Sequence, residues 1–529
     1  LTPSLLDATS VHAPLRVWDK MQLREFLSVP RSDTISENAA VRDQPLQYAF
    51  VSLALLLPWS ALLQAPHPIN VDASWFFYVA RGVLQGGTLY RDYIEPNAPL
   101  ASLSLLPAVL LARALAITPD MAVEVVVLAY AAVSLALCVM VLQRMRLGRK
   151  TMLQTIVILG FAFVFLPKAF FGQREHILAM LLTPYVLGSA AVCAGCRLPR
   201  GLGCGIGMVA AVAVGLKPPF VLVPAILEMV VVARTGMWAT VRAQAVALGA
   251  TLVATTVATL VFFPLYAAQI VPWAAALYSG YNQPELLLQN LAYAAVACGL
   301  VWFGWATRAD GWRAAFRLCL TAAFIGALGA FAAQGKGWMY QVCPAWLFLF
   351  VMTACAIVSS GLRPGASVLD AARWFAPRLV AAVFGLFLVF GAWSSADMSK
   401  FAAMSATVAG ERGPFLILTS NVLPAFPMAL HEDRVWASRM PCLIMLPGLL
   451  KAEQRGEVSP WEGVFRGWID ADLLRYRPAV VFIPPNGPEA TPPGFDVLAW
   501  LLRDPKFAAI WSHYRQDGTR DTFRLFRLI

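Results

Sequence analysis

At 529 residues, with 59% hydrophobic and only 13% charged side chains, the chain is too apolar for a water-soluble globule, in which about a quarter of residues are charged. It reads as a polytopic α-helical membrane protein. The net charge of +11 sits largely in five connectors, Gln143 to Lys150, Arg197 to Arg200, Arg234 to Arg242, Thr307 to Arg317 and Gly361 to Arg378, which carry +4, +2, +2, +2 and +2. Such a bias marks loops retained in the cytoplasm, so nucleic acid is excluded as a partner and the remaining connectors are expected on the opposite face.

In chain order, residues 1–46 are mixed polar and lack an apolar core before a small-residue cleavage site. They are expected to form a cytoplasmic N-terminal segment rather than a signal peptide. Eleven apolar runs of about membrane-spanning length follow, near residues 47–64, 120–142, 151–167, 176–196, 201–216, 219–233, 245–266, 291–306, 318–333, 340–360 and 379–395, and define a transmembrane domain over 47–395.

Residues 65–119 form the expected first far-side loop, and they hold the longest polar interruption, NVDASWFFYVARGVLQGGTLYRDYIEPNAPL (Asn70 to Leu100). Asp72 follows the first apolar run and precedes an aromatic, helix-like stretch from Ala73 to Leu84, for which it would also serve as an N-cap. Gly86 and Gly87 then break the helix, and Arg91, Asp92, Glu95 and Asn97 crowd together before Pro99. Ionisable groups at a membrane edge are costly unless solvated or paired, which makes this cluster a functional-site candidate. The apolar stretch Pro99 to Ile117 is interrupted by Pro107 and Arg113 and carries a stripe of small residues, so it is expected to lie at the membrane surface and not to span.

Three further far-side connectors each present a lysine: Lys168 followed by FFGQREH (Phe170 to His176), GLKPPF with Lys217, and QGKGWMYQ with Lys336. Any one of them would be unremarkable as a lysine snorkelling to headgroups. Three on the face that positive-inside bias depletes point to an anion site for phosphate or pyrophosphate. Ala267 to Asn290 adds Trp273, Tyr278 and Tyr281, which fit an interfacial aromatic belt or a sugar-stacking element. Within the spans, Glu228 is expected to reach toward Arg234, while Glu124 stays ambiguous. The nine cysteines show no disulfide framework, and Cys193 with Cys196 reads as helix packing rather than as a metal or redox motif.

Residues 396–529 are expected to form a soluble α/β domain on the far side, with strands at Phe415 to Leu418, Ala479 to Ile483 and Thr522 to Leu528 and a helix from Phe495 to Ile510. The Pro-rich stretch between them reads as a connector.

The chain resembles the GT-C superfold of integral-membrane glycosyltransferases, the group containing protein O-mannosyltransferases and the aminoarabinose transferases of lipid A. The resemblance rests on Asp72 after the first span, the segment Tyr90 to Leu100, GQREH (Gly172 to His176), GKGWMY (Gly335 to Tyr340), WASR (Trp436 to Arg439) and the C-terminal domain. It departs at Ala98, where relatives often carry a second proline, and at Gln341, where a histidine is common. It implies about 11 transmembrane helices, juxtamembrane helices in the first periplasmic loop and a C-terminal α/β periplasmic domain. The implied place is a bacterial inner membrane, with the active site facing the periplasm.

The implied activity is transfer of a hexose or pentose from a polyprenyl-phosphate-linked donor to a glycan, lipid or protein acceptor, with inversion. The residues fit that chemistry on their own terms, because a lipid-linked phosphate is already a good leaving group. What remains is a base for the acceptor hydroxyl and cations for the departing phosphate. Asp72 is the expected base; Arg91, Arg174, Lys217 and Lys336 are the expected phosphate clamp, with Glu175 orienting the acceptor or holding one of these cations. Asp92, Glu95, Lys168, Gln173, His176, Trp338 and Tyr340 complete the expected substrate site, beside membrane lipids. No cofactor is required and no metal ligands are assigned, with a divalent cation left open. The competing readings are a lipid-linked sugar flippase and a non-catalytic polysaccharide-assembly subunit.

Overall fold

The computed structural model describes residues 67–305, 311–360, 366–392, 397–485 and 490–529. The expected N-terminal segment 1–46 and first span 47–64 lie outside the described residues. The first helix, α1 (Val71–Leu84), starts two residues earlier than its aromatic pattern predicts, because Asn70 is the N-cap: its side chain accepts the Asp72 N–H at 3.0 Å. Asp72 therefore lies inside the first turn and does not cap it. Trp75, Phe76 and Phe77 are buried, and the chain leaves the helix through Gly86 at a φ of +96°, where a side chain would be strained.

The doubtful stretch after Pro99 forms two short helices, α2 (Pro99–Leu103) and α3 (Leu106–Leu115), broken ahead of Pro107. Ten residues of α3 reach only about 15 Å, half of a bilayer core of about 30 Å.

The helical body continues as α4 (Pro119–Arg144), α5 (Arg149–Val164), α6 (Arg174–Cys193), α7 (Arg200–Leu216), α8 (Leu222–Thr235), α9 (Ala243–Phe262), the short α10 (Val271–Leu277), α11 (Pro284–Gly304), α12 (Trp312–Gln334), α13 (Met339–Ser359) and α14 (Val368–Phe390). Among the described residues eight helices are long and apolar enough to cross a membrane: α4, α6, α8 with its leading turn from Pro218, α9, α11, α12, α13 and α14. The shorter α5 and α7 coincide with two further expected runs. Burial ranks these helices. The apolar window of α6 is 89% buried and that of α9 only 6%, so α6 is the hub and α9 presents its apolar surface outward. Neighbours α4, α7, α8, α12 and α13 surround α6. Glu228, on α8, has a guanidinium partner, supplied by Arg242 at 2.8 Å where Arg234 was expected, and Tyr185 also donates to it.

The C-terminal stretch contains α15 (Ala402–Gly410), β1 (Phe415–Ile417), α16 (Ala425–His431), α17 (Leu446–Gln454), α18 (Glu462–Tyr476), β2 (Val480–Ile483), α19 (Val497–Leu501), α20 (Pro505–Trp511), β3 (Tyr514–Arg520) and β4 (Phe523–Leu528). The sheet order is β1-β2-β4-β3, with β1 and β2 parallel and the other pairs antiparallel. The expected single helix over 495–510 is two helices, because Asp504 caps α20 and Pro505 occupies its first position, where a continuing helix would clash. Strand β3 escapes the sequence reading because its segment, YRQDGTR, is almost wholly polar and exposed. This layer docks on the first loop. Phe426 packs edge-on against Trp75 and Tyr78, the Ile94 N–H donates to the Arg439 carbonyl at 2.7 Å, and ion pairs join Arg81 to Asp433 and Asp120 to His431.

Candidate active site

The N-terminal end of the hub helix α6 is where the sequence motifs converge. Asn70 does two jobs there: its carbonyl caps α1, and its amide donates to the Ala169 carbonyl at 3.0 Å, tying the first turn of α1 to the turn that enters α6. Gly172, at a φ of +77°, lets that turn close against Val123 and Val127.

Arg174 and Glu175 then occupy the first turn of α6, both buried. The Arg174 guanidinium lies 3.3 Å from Asp72 through Nη2 and rests 4.8 Å over the Phe76 ring. Glu175 accepts from the Lys217 ammonium and lies 3.9 Å from Arg174 Nε. A cation at a helix N-terminus opposes the helix dipole, so the two carboxylates are what make a buried arginine tenable here. Its Nη1 has no hydrogen-bond partner among the described residues.

Burial pushes the Asp72 carboxyl above the usual carboxylate range, with the Arg174 charge opposing it. Its side chain keeps 23% of its surface open, toward a cavity of about 320 Å³. Glu95 is the other carboxylate in that wall. Only 2% exposed, it accepts from Trp75 Nε1 at 2.6 Å and from the Asn97 N–H at 2.9 Å, and burial raises its pKa as well. Tyr278, Tyr281, Trp338 and Tyr340 form an aromatic wall, with Trp338 and Tyr340 stacked at 5.6 Å and Trp338 and Tyr281 edge-on at 5.6 Å. Residues 420–423 of the C-terminal layer, with Pro441, Cys442 and Ile444, close the remaining side.

Two lysines stand behind the aromatic wall. Lys217 Nζ lies 5.3 Å over the Tyr340 ring, and Lys336 Nζ 3.9 Å over the Tyr278 ring. Burial lowers both pKa values to about 8, against the pull of Glu175 on Lys217 and with added repulsion from Lys217 on Lys336. Lys336 is only 7% exposed, and its ammonium donates a long 3.4 Å bond to the Gln334 carbonyl. Among the described residues it has no carboxylate within ion-pair reach. The glycines beside it explain the GKG spelling. Gly335 and Gly337 have φ of +71° and +72°, and a Cβ on either would come within 3 Å of Asn282 or Leu287.

No family model matches the chain, and no curated protein matches it either. Among solved structures, the crystal structure of ArnT from Cupriavidus metallidurans bound to undecaprenyl phosphate superposes with a TM-score of 0.51, covering 92% of this chain and 98% of that one at 12% identity. The chain has a GT-C-like fold. At that identity the likeness is one of architecture, and the roles of individual residues rest on this chain's own geometry.

Within this GT-C-like frame the expected site residues divide. Asp72, Glu95, Gln173, Arg174, Trp338 and Tyr340 line one cavity, with Glu175, Lys217 and Lys336 adjoining. Arg91 and Asp92 pair with each other at 3.0 Å, Asp92 also pairs with Arg475, and neither Arg91 nor Asp92 is in the cavity lining. Lys168 donates to the Leu388 carbonyl at 2.7 Å and also to those of Phe387 and Gly391, so it closes the end of α14. His176 accepts the Gly172 N–H through Nδ1 and donates from Nε2 to the Phe163 carbonyl at 2.7 Å, the pattern of a neutral ring bracing the turn. Trp75 and Phe76 line the cavity from the aromatic stretch that the sequence marks only as a helix, and Ser420 and Cys442 line it without any sequence signal. Tyr278 and Tyr281 had one, since they are the aromatic pair of the loop after Ala267.

Proposed function

We propose that this chain is a membrane glycosyltransferase that moves a sugar from a polyprenyl-phosphate-linked donor to a hydroxyl of a glycan, lipid or protein acceptor, with Asp72 as the general base. The observation that carries the reading is the Asp72–Arg174 pair: a carboxylate open to a cavity and held by a buried guanidinium whose Nη1 has no hydrogen-bond partner among the described residues. Its frame is the fold of ArnT, whose crystal structure holds undecaprenyl phosphate. Asp72 takes the proton of the acceptor hydroxyl as its oxygen attacks the anomeric carbon. The bond to the phosphate oxygen breaks with its electron pair, and the phosphate charge falls to Arg174 and Lys336. A raised pKa makes the carboxylate a stronger base at neutral pH. Attack opposite the leaving phosphate inverts the anomeric centre, and the aromatic wall offers faces for a pyranose. No cofactor enters the scheme.

The basic bias of the five loops supports a cavity and a C-terminal layer on the periplasmic face of a bacterial inner membrane, with the eleven spans that the sequence pattern implies. A flippase would carry its charges near the bilayer midplane in broken helices, whereas these gather at one end of the hub helix. The test is Asp72→Asn in the purified protein in nanodiscs, measured as release of undecaprenyl phosphate from a panel of undecaprenyl-phosphate-linked sugars. Asn70 supplies the cap of α1, so the substitution leaves helix capping intact. Turnover is expected to fall by about a hundredfold or more with thermal stability retained. Near-normal turnover would sink the assignment of the base and transfer it to Glu95, the other carboxylate in the cavity. No turnover with any panel member by the wild type, together with no binding of undecaprenyl phosphate, would favour the non-catalytic reading.

A further inference from the structure

Cys193 closes α6, and Cys319 lies one third of the way along α12. Although 126 residues separate them, their Sγ atoms are 4.0 Å apart, with the Cys319 thiol donating to the Cys193 sulfur. The sequence offers only the neighbouring CxxC of Cys193 and Cys196, which reads as packing; the partner that matters is on another helix. Cys193 is half-buried and Cys319 is buried, so one thiol of the pair is open to a small reagent and the second waits behind it. The thiolate, not the thiol, is the attacking form of cysteine.

We propose that Cys193 and Cys319 form a redox-sensitive staple between α6 and α12, taking a low-molecular-weight disulfide such as oxidised glutathione as its oxidant. The Cys193 thiolate attacks one sulfur of that disulfide and releases one thiolate, leaving a mixed disulfide on Cys193. The Cys319 thiolate then attacks the Cys193 sulfur, and the second small thiolate leaves. Two protein thiols and one disulfide become one protein disulfide and two small thiols, with no other reactant. The sulfurs need to close by about 2 Å to reach bonding distance. The staple joins the hub helix, whose opposite end carries Arg174 and Glu175, to the helix that runs directly into the Lys336 turn. On the proposed orientation this end of the helix pair faces the cytoplasm, where glutathione is the abundant thiol; the chemistry itself does not depend on that orientation or on the transferase reading.

The test uses the full-length protein in nanodiscs, incubated with oxidised glutathione, then alkylated and mapped by mass spectrometry. Two of the nine thiols should disappear together into one peptide pair linking Cys193 to Cys319, and reduced glutathione in excess should restore both. Cys196→Ser should leave the cross-link unchanged, whereas Cys319→Ser should convert it to a lasting glutathione adduct on Cys193. A Cys193–Cys196 link in the wild type, a lasting adduct in the wild type, or survival of all nine thiols would each overturn the proposal. Unchanged thermal unfolding of both serine variants before oxidation shows that they are folded, so the mapping stands whether or not transferase activity is found.

Discussion

Replacing Lys336 by methionine should make the protein more stable and its phosphate binding weaker, a combination that a headgroup-snorkelling lysine would not produce. Burial lowers the Lys336 pKa from 10.5 to about 8. At pH 7 that difference corresponds to roughly 3 kcal/mol of cost for holding the ammonium in the folded protein. The cation–π contact with Tyr278, 3.9 Å from ammonium to ring centre, offsets about 1–2 kcal/mol of it, and methionine fills similar space. Lys336→Met should therefore stabilise the ligand-free protein by about 1–2 kcal/mol at pH 7. The sign follows from the depressed pKa. The cost is full below about pH 8 and disappears as the pH rises toward 10.5, so the gain of the variant should fade over that window. Binding should move the other way, because a charge-assisted contact to phosphate is worth about 1.5–3 kcal/mol, or roughly 10- to 150-fold in affinity. Thermal unfolding at pH 7 and near pH 10, with and without undecaprenyl phosphate, measures both. A variant that is less stable at pH 7 and binds undecaprenyl phosphate as tightly as the wild type would refute the anion-site reasoning.

Two other outcomes can be checked independently. His431 sits 3.2 Å from Asp120, and its hydrogen bond to that carboxylate raises the His431 pKa above 6.5. The wild type should accordingly be more stable than His431→Gln below about pH 6.5, by roughly 0.5–1 kcal/mol for a partly exposed pair. The advantage should disappear as the pH rises through the elevated histidine pKa; an advantage that grows toward pH 8 would contradict the pairing. For orientation, a cysteine at the exposed Gln85, just past the end of α1, should react with an impermeant thiol reagent in intact spheroplasts, while the native, exposed Cys204 should react only after lysis. Gln85 suits the experiment better than Gly87, where a new side chain would strike Tyr93. The reverse labelling pattern would invert the topology.

The membrane class, the positions of ten helical runs after residue 100 and the break in the apolar stretch that follows Pro99 were legible in the sequence. Each depends on quantities local in the chain: hydropathy summed over a helix length, a proline breaking a run, a glycine ending one. The same holds for the motifs that converge on α6, since Asp72, GQRE and GKGW are visible as polar interruptions of apolar sequence. Which charge meets which could not be read that way. Arg174 finds Asp72 across 102 residues, Lys217 finds Glu175 across 42, and Lys168 reaches the Leu388 carbonyl across 220. Three lysines that looked alike in sequence therefore have three different fates: an ion pair, a helix-end clasp, and Lys336, buried without a carboxylate among the described residues. Burying a charge is unfavourable unless something nearby compensates it, and what lies nearby is settled only when α6, α12 and the C-terminal layer pack together. The Asp72 position shows the same division at short range, for any of Asn70, Asp72 or Ser74 suits a helix start by residue type. The hydrogen bond from Asn70 to the Ala169 carbonyl, a contact with another element, is what commits Asn70 to the cap and leaves the Asp72 carboxylate for the cavity.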